Sequence, residues 1–209
     1  MTDIAGNRTL SSQWNETVQF YGNQNFLEYI SVGDQLTSYT YSEFHYRVIQ
    51  TANWFHSLGI RKGELVALHL HNSPEYLMCW LALAQIGAVS VPLNEHYRLQ
   101  ESKFVLQKCD IHRIIVEPSS LPIYQSNKED LLLSTIILAW GEFPYPEILS
   151  LSASCFFVGS RLDESCEILP EDTAVILFTS GTTQYPKGVI YTHCNVVYGG
   201  IIHMQQIGM

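Results

Sequence analysis

The chain has 209 residues, 46% of them apolar and 15% charged, enough to bury a sizeable core in one large domain or two small ones. A formal charge of −9 with no basic run excludes a nucleic-acid-binding surface, and no nucleic-acid partner is expected. Residues 1–15 lack the apolar core of a signal peptide and no apolar run reaches membrane-spanning length, so a cytoplasmic protein without a transmembrane segment is expected.

In chain order, Leu10, Trp14, Val18 and Tyr21 recur at helical spacing and predict a helix over 9–21. Short strands follow at 26–30 and 38–41, joined by the Gly33-Asp34 turn. Thr40 and Glu43 fit a capping box that opens a helix to about Leu58, with Phe44, Val48, Ala52 and Phe55 on its apolar face and Gly59 ending it. Residues 64–70 read as a strand buried on both faces. Pro74 stands at the first position of the next helix, which is apolar nearly all round and should be buried to Ile86. A strand (89–93), a helix (99–108) and a strand (111–116) follow, then an irregular or weakly helical stretch (118–130) and a strand (134–139). Residues 141–170 form a mixed connection, before strands at 173–178 and 189–192. The succession predicts an α/β fold with a mostly parallel sheet covered by helices.

The five cysteines are an odd number without a C-x-x-C pair, which points to reduced thiols rather than disulfides or structural zinc. Cys79 reads as core, and a nucleophile role for Cys194 lacks a partner base in the sequence. His69 and His71, at i and i+2 on a strand, share a face, but packing or surface roles are commoner for such a pair than metal binding. No metal ligand and no catalytic residue is assigned.

The densest chemistry lies between the last two strands, in Thr179-Ser180-Gly181-Thr182-Thr183-Gln184-Tyr185-Pro186-Lys187-Gly188. Glycine lets backbone N–H groups turn toward an anion, and successive N–H groups make a concave anion site. Four hydroxyls add donors and Lys187 adds a mobile positive charge. Composition alone favours a polar hairpin loop. A P-loop does not fit: Pro186 stands where its second glycine belongs, Gly188 where its Ser or Thr belongs, and a strand rather than a helix follows.

This stretch resembles the phosphate-binding signature T-S-G-T-T-G-x-P-K-G of the AMP-forming acyl-CoA synthetase and luciferase superfamily, departing from it at Gln184, where the family has Gly or Ser. The resemblance extends through Gly59-Ile60-Arg61-Lys62-Gly63-Glu64, Asn72-Ser73-Pro74-Glu75, Gly87-Ala88 with Val91-Pro92-Leu93-Asn94, and Thr192-His193. Among subfamilies it is most similar to the crotonobetaine/carnitine–CoA ligases. It implies an ATP-dependent acid–CoA ligase: a carboxylic acid attacks the α-phosphate of ATP with Mg²⁺ sharing the phosphate charge, and coenzyme A then displaces AMP. Thr179, Ser180, Gly181, Thr182, Thr183 and Lys187 would be the phosphate contacts. His193 would be structural or catalytic with equal standing.

Family members are more than twice as long. Residues 1–209 are therefore expected to be the N-terminal portion of the AMP-binding domain, inactive alone and marginal as a fold, with the C-terminal domain absent. A fatty-acid–CoA ligase, another adenylating enzyme and a non-catalytic truncated remnant stay open, as do the acid substrate and the oligomeric state.

Overall fold

A computed structural model describes residues 5–141, 149–151, 162, 166–179 and 186–208. The elements run α1 (Leu10–Tyr21), β1 (Asn25–Ile30), β2 (Leu36–Thr40), α2 (Tyr41–Ser57), β3 (Leu65–His69), α3 (Pro74–Gln85), β4 (Val89–Pro92), α4 (Leu99–Lys108), β5 (Arg113–Val116), α5 (Leu121–Ser126), β6 (Thr135–Leu138), β7 (Leu149–Ser150), β8 (Thr173–Thr179), β9 (Lys187–Thr192) and α6 (His193–Gln206). The helix starts follow the expected local chemistry. Thr40 Oγ1 accepts the Glu43 N–H at 3.2 Å while the Glu43 carboxylate accepts the Thr40 N–H at 2.8 Å. Ser73 caps α3, with Pro74 just inside it.

Alternation along β3, β5 and β6 builds two cores. Val66, Leu68, Ile115 and Ile137 pack into one cluster with Phe44, Val48, Ala52 and Phe55 of α2 and with α3. Their neighbours Ala67, Ile114, Val116, Ile136 and Leu138 pack into a second cluster with Val105 and Leu106 of α4 and Leu121 and Tyr124 of α5. A strand with both faces covered must be apolar at every position, which is why these segments read as unbroken apolar runs. The seven-stranded sheet has the order β7-β6-β5-β3-β4-β8-β9 and is parallel except for β9, which pairs antiparallel with β8. β1 and β2 form a separate antiparallel hairpin.

Three expectations are refined. The irregular stretch after β5 contains the short helix α5, whose Leu121 and Tyr124 are buried. The mixed connection contributes β7 to one sheet edge; most of its remaining residues lie outside the described ones. Helix α3 is buried only in part: Met78, Cys79 and 81–85 are inside, whereas Tyr76, Leu77 and Trp80 are half-buried along a groove.

Helix α1 lies against α2, α3 and α6. Trp14 meets Phe26 and Phe44 edge-to-face at centroid distances of 4.9 and 6.2 Å. Its indole N–H donates to His45 Nδ1 at 3.0 Å. The Leu10 N–H donates to His193 Nδ1 at 3.3 Å. Asn15 and Gln85 exchange amide hydrogen bonds of 3.4 and 2.9 Å. Both imidazoles must therefore present a bare Nδ1, which a doubly protonated ring cannot do.

Burial holds both rings below the ordinary imidazole pKa; at His193 the Asp172 carboxylate opposes this and the Lys62 ammonium adds to it. The folded chain thus binds fewer protons than the unfolded chain below about pH 6.5. Their stabilisation is complete above that pH and is lost as the pH falls through the folded values. In His193→Asn, Oδ1 accepts the Leu10 N–H without titrating. Urea unfolding followed from about pH 6.5 to about pH 5 should show a shallower loss of stability than in the parent, by up to about 1.4 kcal/mol per pH unit. An identical pH slope in the two proteins would rule out the role given to His193.

Candidate functional site

The β8–β9 hairpin carries the predicted site. Its last register pair is Thr179 with Lys187, and the Thr179 hydroxyl donates to the Lys187 carbonyl at 3.4 Å. The two side chains are exposed at the mouth of the turn. Because β3, β4, β5, β6 and β8 are parallel, Thr179 and Lys187 stand at the carboxyl ends of these strands, the edge where open α/β sheets bind ligands. Ser180, Gly181, Thr182, Thr183, Gln184 and Tyr185 lie outside the described residues. The structure therefore brings together Thr179 and Lys187 of the predicted contacts, with Pro186 preceding Lys187.

Gly188 has a packing reason rather than a ligand-facing one. It pairs with Phe178 across the hairpin, and a Cβ there would stand 3.1 Å from Phe178 Cζ and 3.3 Å from Ile176 Cγ2. The Phe178 ring lies over the space a side chain would need.

The opposite end of the hairpin is closed by polar groups that sequence reading missed. Asp172 precedes β8, and its Oδ2 accepts the Leu169 N–H at 2.7 Å and lies 2.6 Å from Lys62 Nζ. Lys62 Nζ also donates to the Glu167 carbonyl at 2.7 Å. The Asp172 carbonyl accepts the His193 N–H at 3.0 Å, and the Pro170 carbonyl accepts that of Cys194 at 2.9 Å. One turn thus holds both the start of β8 and the end of β9. The Lys62 ammonium and the Leu169 N–H hold the Asp172 carboxyl below its usual pKa. Lys62 and Asp172 are 110 positions apart (172 − 62), and no local pattern announces the pair.

Thr192 and His193 serve the same junction. Thr192 Oγ1 accepts the Asn195 N–H at 3.2 Å and Asn195 Oδ1 accepts the Thr192 N–H at 3.1 Å, a reciprocal cap on α6. His193 is fully buried. With Nδ1 accepting from Leu10, its proton sits on Nε2, which finds no hydrogen-bond partner among the described residues. These contacts make it a structural anchor at the end of the strand.

The carboxyl edge also collects polar groups from β3 and β5. Tyr124 Oη lies 2.6 Å from His69 Nδ1 and 2.9 Å from Ser102 Oγ, all three buried. Burial pushes the Tyr124 pKa up to about 12, so it stays a neutral phenol. His71 lies beyond the end of β3 and pairs instead with Glu117, which also accepts from Ser119. Burial raises the Glu117 pKa, but the hydrogen bonds from Ser119 and His71 outweigh it and leave the carboxyl low. The i, i+2 histidine pair is thus divided between two hydrogen-bond networks, with the Glu117 charge felt at both rings. Among the described residues no three His, Cys, Asp or Glu side chains cluster as a metal site.

The comparisons with known proteins agree with this architecture. A crotonobetaine/carnitine–CoA ligase of Salmonella paratyphi A is 35% identical over 210 residues, an alignment that takes in 99% of this chain and 41% of that protein. A long-chain-fatty-acid–CoA ligase from Archaeoglobus fulgidus superposes with a TM-score of 0.85 at 25% identity, over 96% of this chain and 40% of that one. The ATP-bound MatB of Rhodopseudomonas palustris shares the fold at 21% identity, with a TM-score of 0.75 over 95% of this chain and 37% of that one. The chain spans about two-fifths of the length of these relatives. The AMP-binding enzyme family matches residues 15–207, from the first helix through the sheet and the hairpin to the last helix. With that match over most of its length, the chain belongs to the AMP-binding enzyme family.

Proposed function

We propose that this chain supplies the phosphate-gripping, N-terminal portion of an ATP-dependent acid–CoA ligase of the crotonobetaine/carnitine type. The observation that carries the reading is the hairpin mouth, where Thr179 and Lys187, the two ends of the hydroxyl- and glycine-rich sequence, pair at the carboxyl edge of a parallel sheet. The acid class is supported by the 35% identity to the Salmonella ligase. A fatty acid is the second reading, favoured by the superposition on the Archaeoglobus enzyme. A cytoplasmic location, with ATP and coenzyme A as co-substrates, belongs to the same reading.

The chemistry asked of these residues is positioning and charge stabilisation. The hydroxyls of Thr179, Ser180, Thr182 and Thr183 and the N–H of Gly181 would hold the β- and γ-phosphates. The Lys187 ammonium would offset the charge that builds on pyrophosphate as the acid's carboxylate attacks the α-phosphate. Mg²⁺ would supply further phosphate neutralisation. Coenzyme A thiol then displaces AMP, a step in which pyrophosphate takes no part.

Two substitutions test the assignment in a chimera in which residues 173–192 of this chain replace the matching stretch of the Salmonella ligase. Lys187→Ala should slow acid-dependent ATP–pyrophosphate exchange by about 10²–10³-fold. Thioester formation from preformed acyl-adenylate should fall much less; equal losses in both steps would remove Lys187 from the pyrophosphate. Gln184→Gly should keep or raise the exchange rate, because a smaller residue at the loop tip leaves more room for phosphate. A marked loss would identify Gln184 as an adapted contact.

A further inference from the structure

His69, Ser102 and Tyr124 come from β3, α4 and α5 and meet beside the second core, at 1%, 0% and 0% exposure. His69 ends β3, next to the loop that follows β4. Its Nε2 lies 3.3 Å from the Glu95 carbonyl in that loop, and its Nδ1 lies 2.6 Å from Tyr124 Oη. The Tyr124 ring stands perpendicular to the imidazole, and its hydroxyl is 2.9 Å from Ser102 Oγ.

A carbonyl only accepts, so the bond to Glu95 requires a proton on Nε2 in every state of the ring. What varies is Nδ1. In the neutral ring Nδ1 is bare and accepts the phenol O–H, while the Ser102 hydroxyl donates to Tyr124 Oη. In the charged ring Nδ1–H donates to Tyr124 Oη instead. The phenol O–H then turns to Ser102 Oγ, and the Ser102 O–H turns to the carbonyl four residues back on its own helix, a bond helical serines make. One proton enters from solvent, two hydroxyls rotate and no hydrogen bond is lost.

The groups around the ring oppose one another. Burial disfavours the charge most strongly and holds His69 below the ordinary imidazole pKa; the Glu95 and Asn94 carbonyls and the Glu117 and Glu95 carboxylates pull the other way. From α5 and α4 the ring's network meets only the neutral Tyr124 phenol and the Ser102 hydroxyl. His45 and His193 have no such alternative. Each accepts an N–H at Nδ1, from the Trp14 indole and the Leu10 backbone, and charging either ring breaks that bond.

The geometry points to a reversible hydrogen-bond relay through His69, Tyr124 and Ser102: a proton-binding site inside the core that keeps the loop after β4 tied to the end of β3 whether the imidazole is neutral or charged. That loop stands at the carboxyl edge, on the strand next to β8. Acid therefore loosens the N-terminal helix through His45 and His193 while this part of the edge keeps its form. The inference concerns the core network and does not rest on the ligase reading.

Nitrogen-15 resonances of the histidine rings in the 209-residue chain, followed from about pH 7.5 down to the onset of acid unfolding, test it. Close contact with the Tyr124 ring, 5.6 Å between centroids, identifies the His69 signals. At the upper pH His69 should be the neutral Nε2–H tautomer. As the pH falls it should become charged while the amide spectrum is still that of the folded chain, with its Nε2–H slow to exchange with water throughout. In Tyr124→Phe the charged ring leaves Nδ1–H without an acceptor, so the proton affinity of His69 should drop about tenfold or more. Its folded pKa then moves further below the unfolded value, and the variant should lose stability faster than the parent as the pH falls. A neutral Nδ1–H tautomer, a ring that gains its proton only when the chain unfolds, or an unchanged proton affinity in Tyr124→Phe overturns the proposal. Should Tyr124→Phe fail to fold, the tautomer and titration of the parent ring decide it alone.

Discussion

The closed root of the β8–β9 hairpin is the constraint on which the candidate site depends. A turn that must grip an anion works only if its ends are already held, because ordering them on binding would consume the energy of the contacts it makes. Here the ends are held at a distance. Asp172 ties the start of β8 to Lys62 and, through its carbonyl, to the first residue of α6. The strands between run in register from Thr173–Thr192 to Thr179–Lys187, with one irregularity next to the root. The mouth of the turn inherits its geometry from that ladder.

The sheet in turn is held by burial on both faces. Val66 and Leu68 point into one core and Ala67 into the other, and the same division holds along β5 and β6. β8 is attached to this block through β4, where Ser90 pairs with Val175 and its hydroxyl donates to the Ala174 carbonyl at 3.3 Å. Helix α1 completes the arrangement by reaching His193 at the hairpin root. The first helix and the last strand are thus coupled through one neutral imidazole. The hairpin mouth at Thr179 and Lys187, the hairpin root and the N-terminal helix form one connected chain of interactions, although they come from distant parts of the sequence.

Much of this was legible from residue order because the relevant physics is local. The Thr40–Glu43 box, Pro74 after Ser73 and the both-face apolar runs each show within a few positions. The hydroxyl- and glycine-rich stretch carried the resemblance to the adenylating class, and the family match agrees with that resemblance. What was not legible is non-local. Nothing near Lys62 signals Asp172, and nothing near His71 signals Glu117, because each pair meets only once parallel strands lie side by side. The strand order, with β5 and β4 on opposite sides of β3, is a property of the crossovers rather than of any segment. Gly188 shows the limit from the other direction. It ends the phosphate-binding signature without being one of the expected contacts, and the cross-strand Phe178 ring gives it a packing role.

The most direct test of the central claim is a magnesium-pyrophosphate titration of the isotopically labelled chain, read from backbone amide resonances. The account predicts saturable shifts centred on Thr179, the 180–185 turn, Lys187 and Gly188, lost in Lys187→Ala, with Asp172 and His193 at the root unmoved. Shifts confined to another polar surface, such as the groove between β2 and α2 at Arg47, would contradict it. So would a hairpin that stays silent at saturating pyrophosphate.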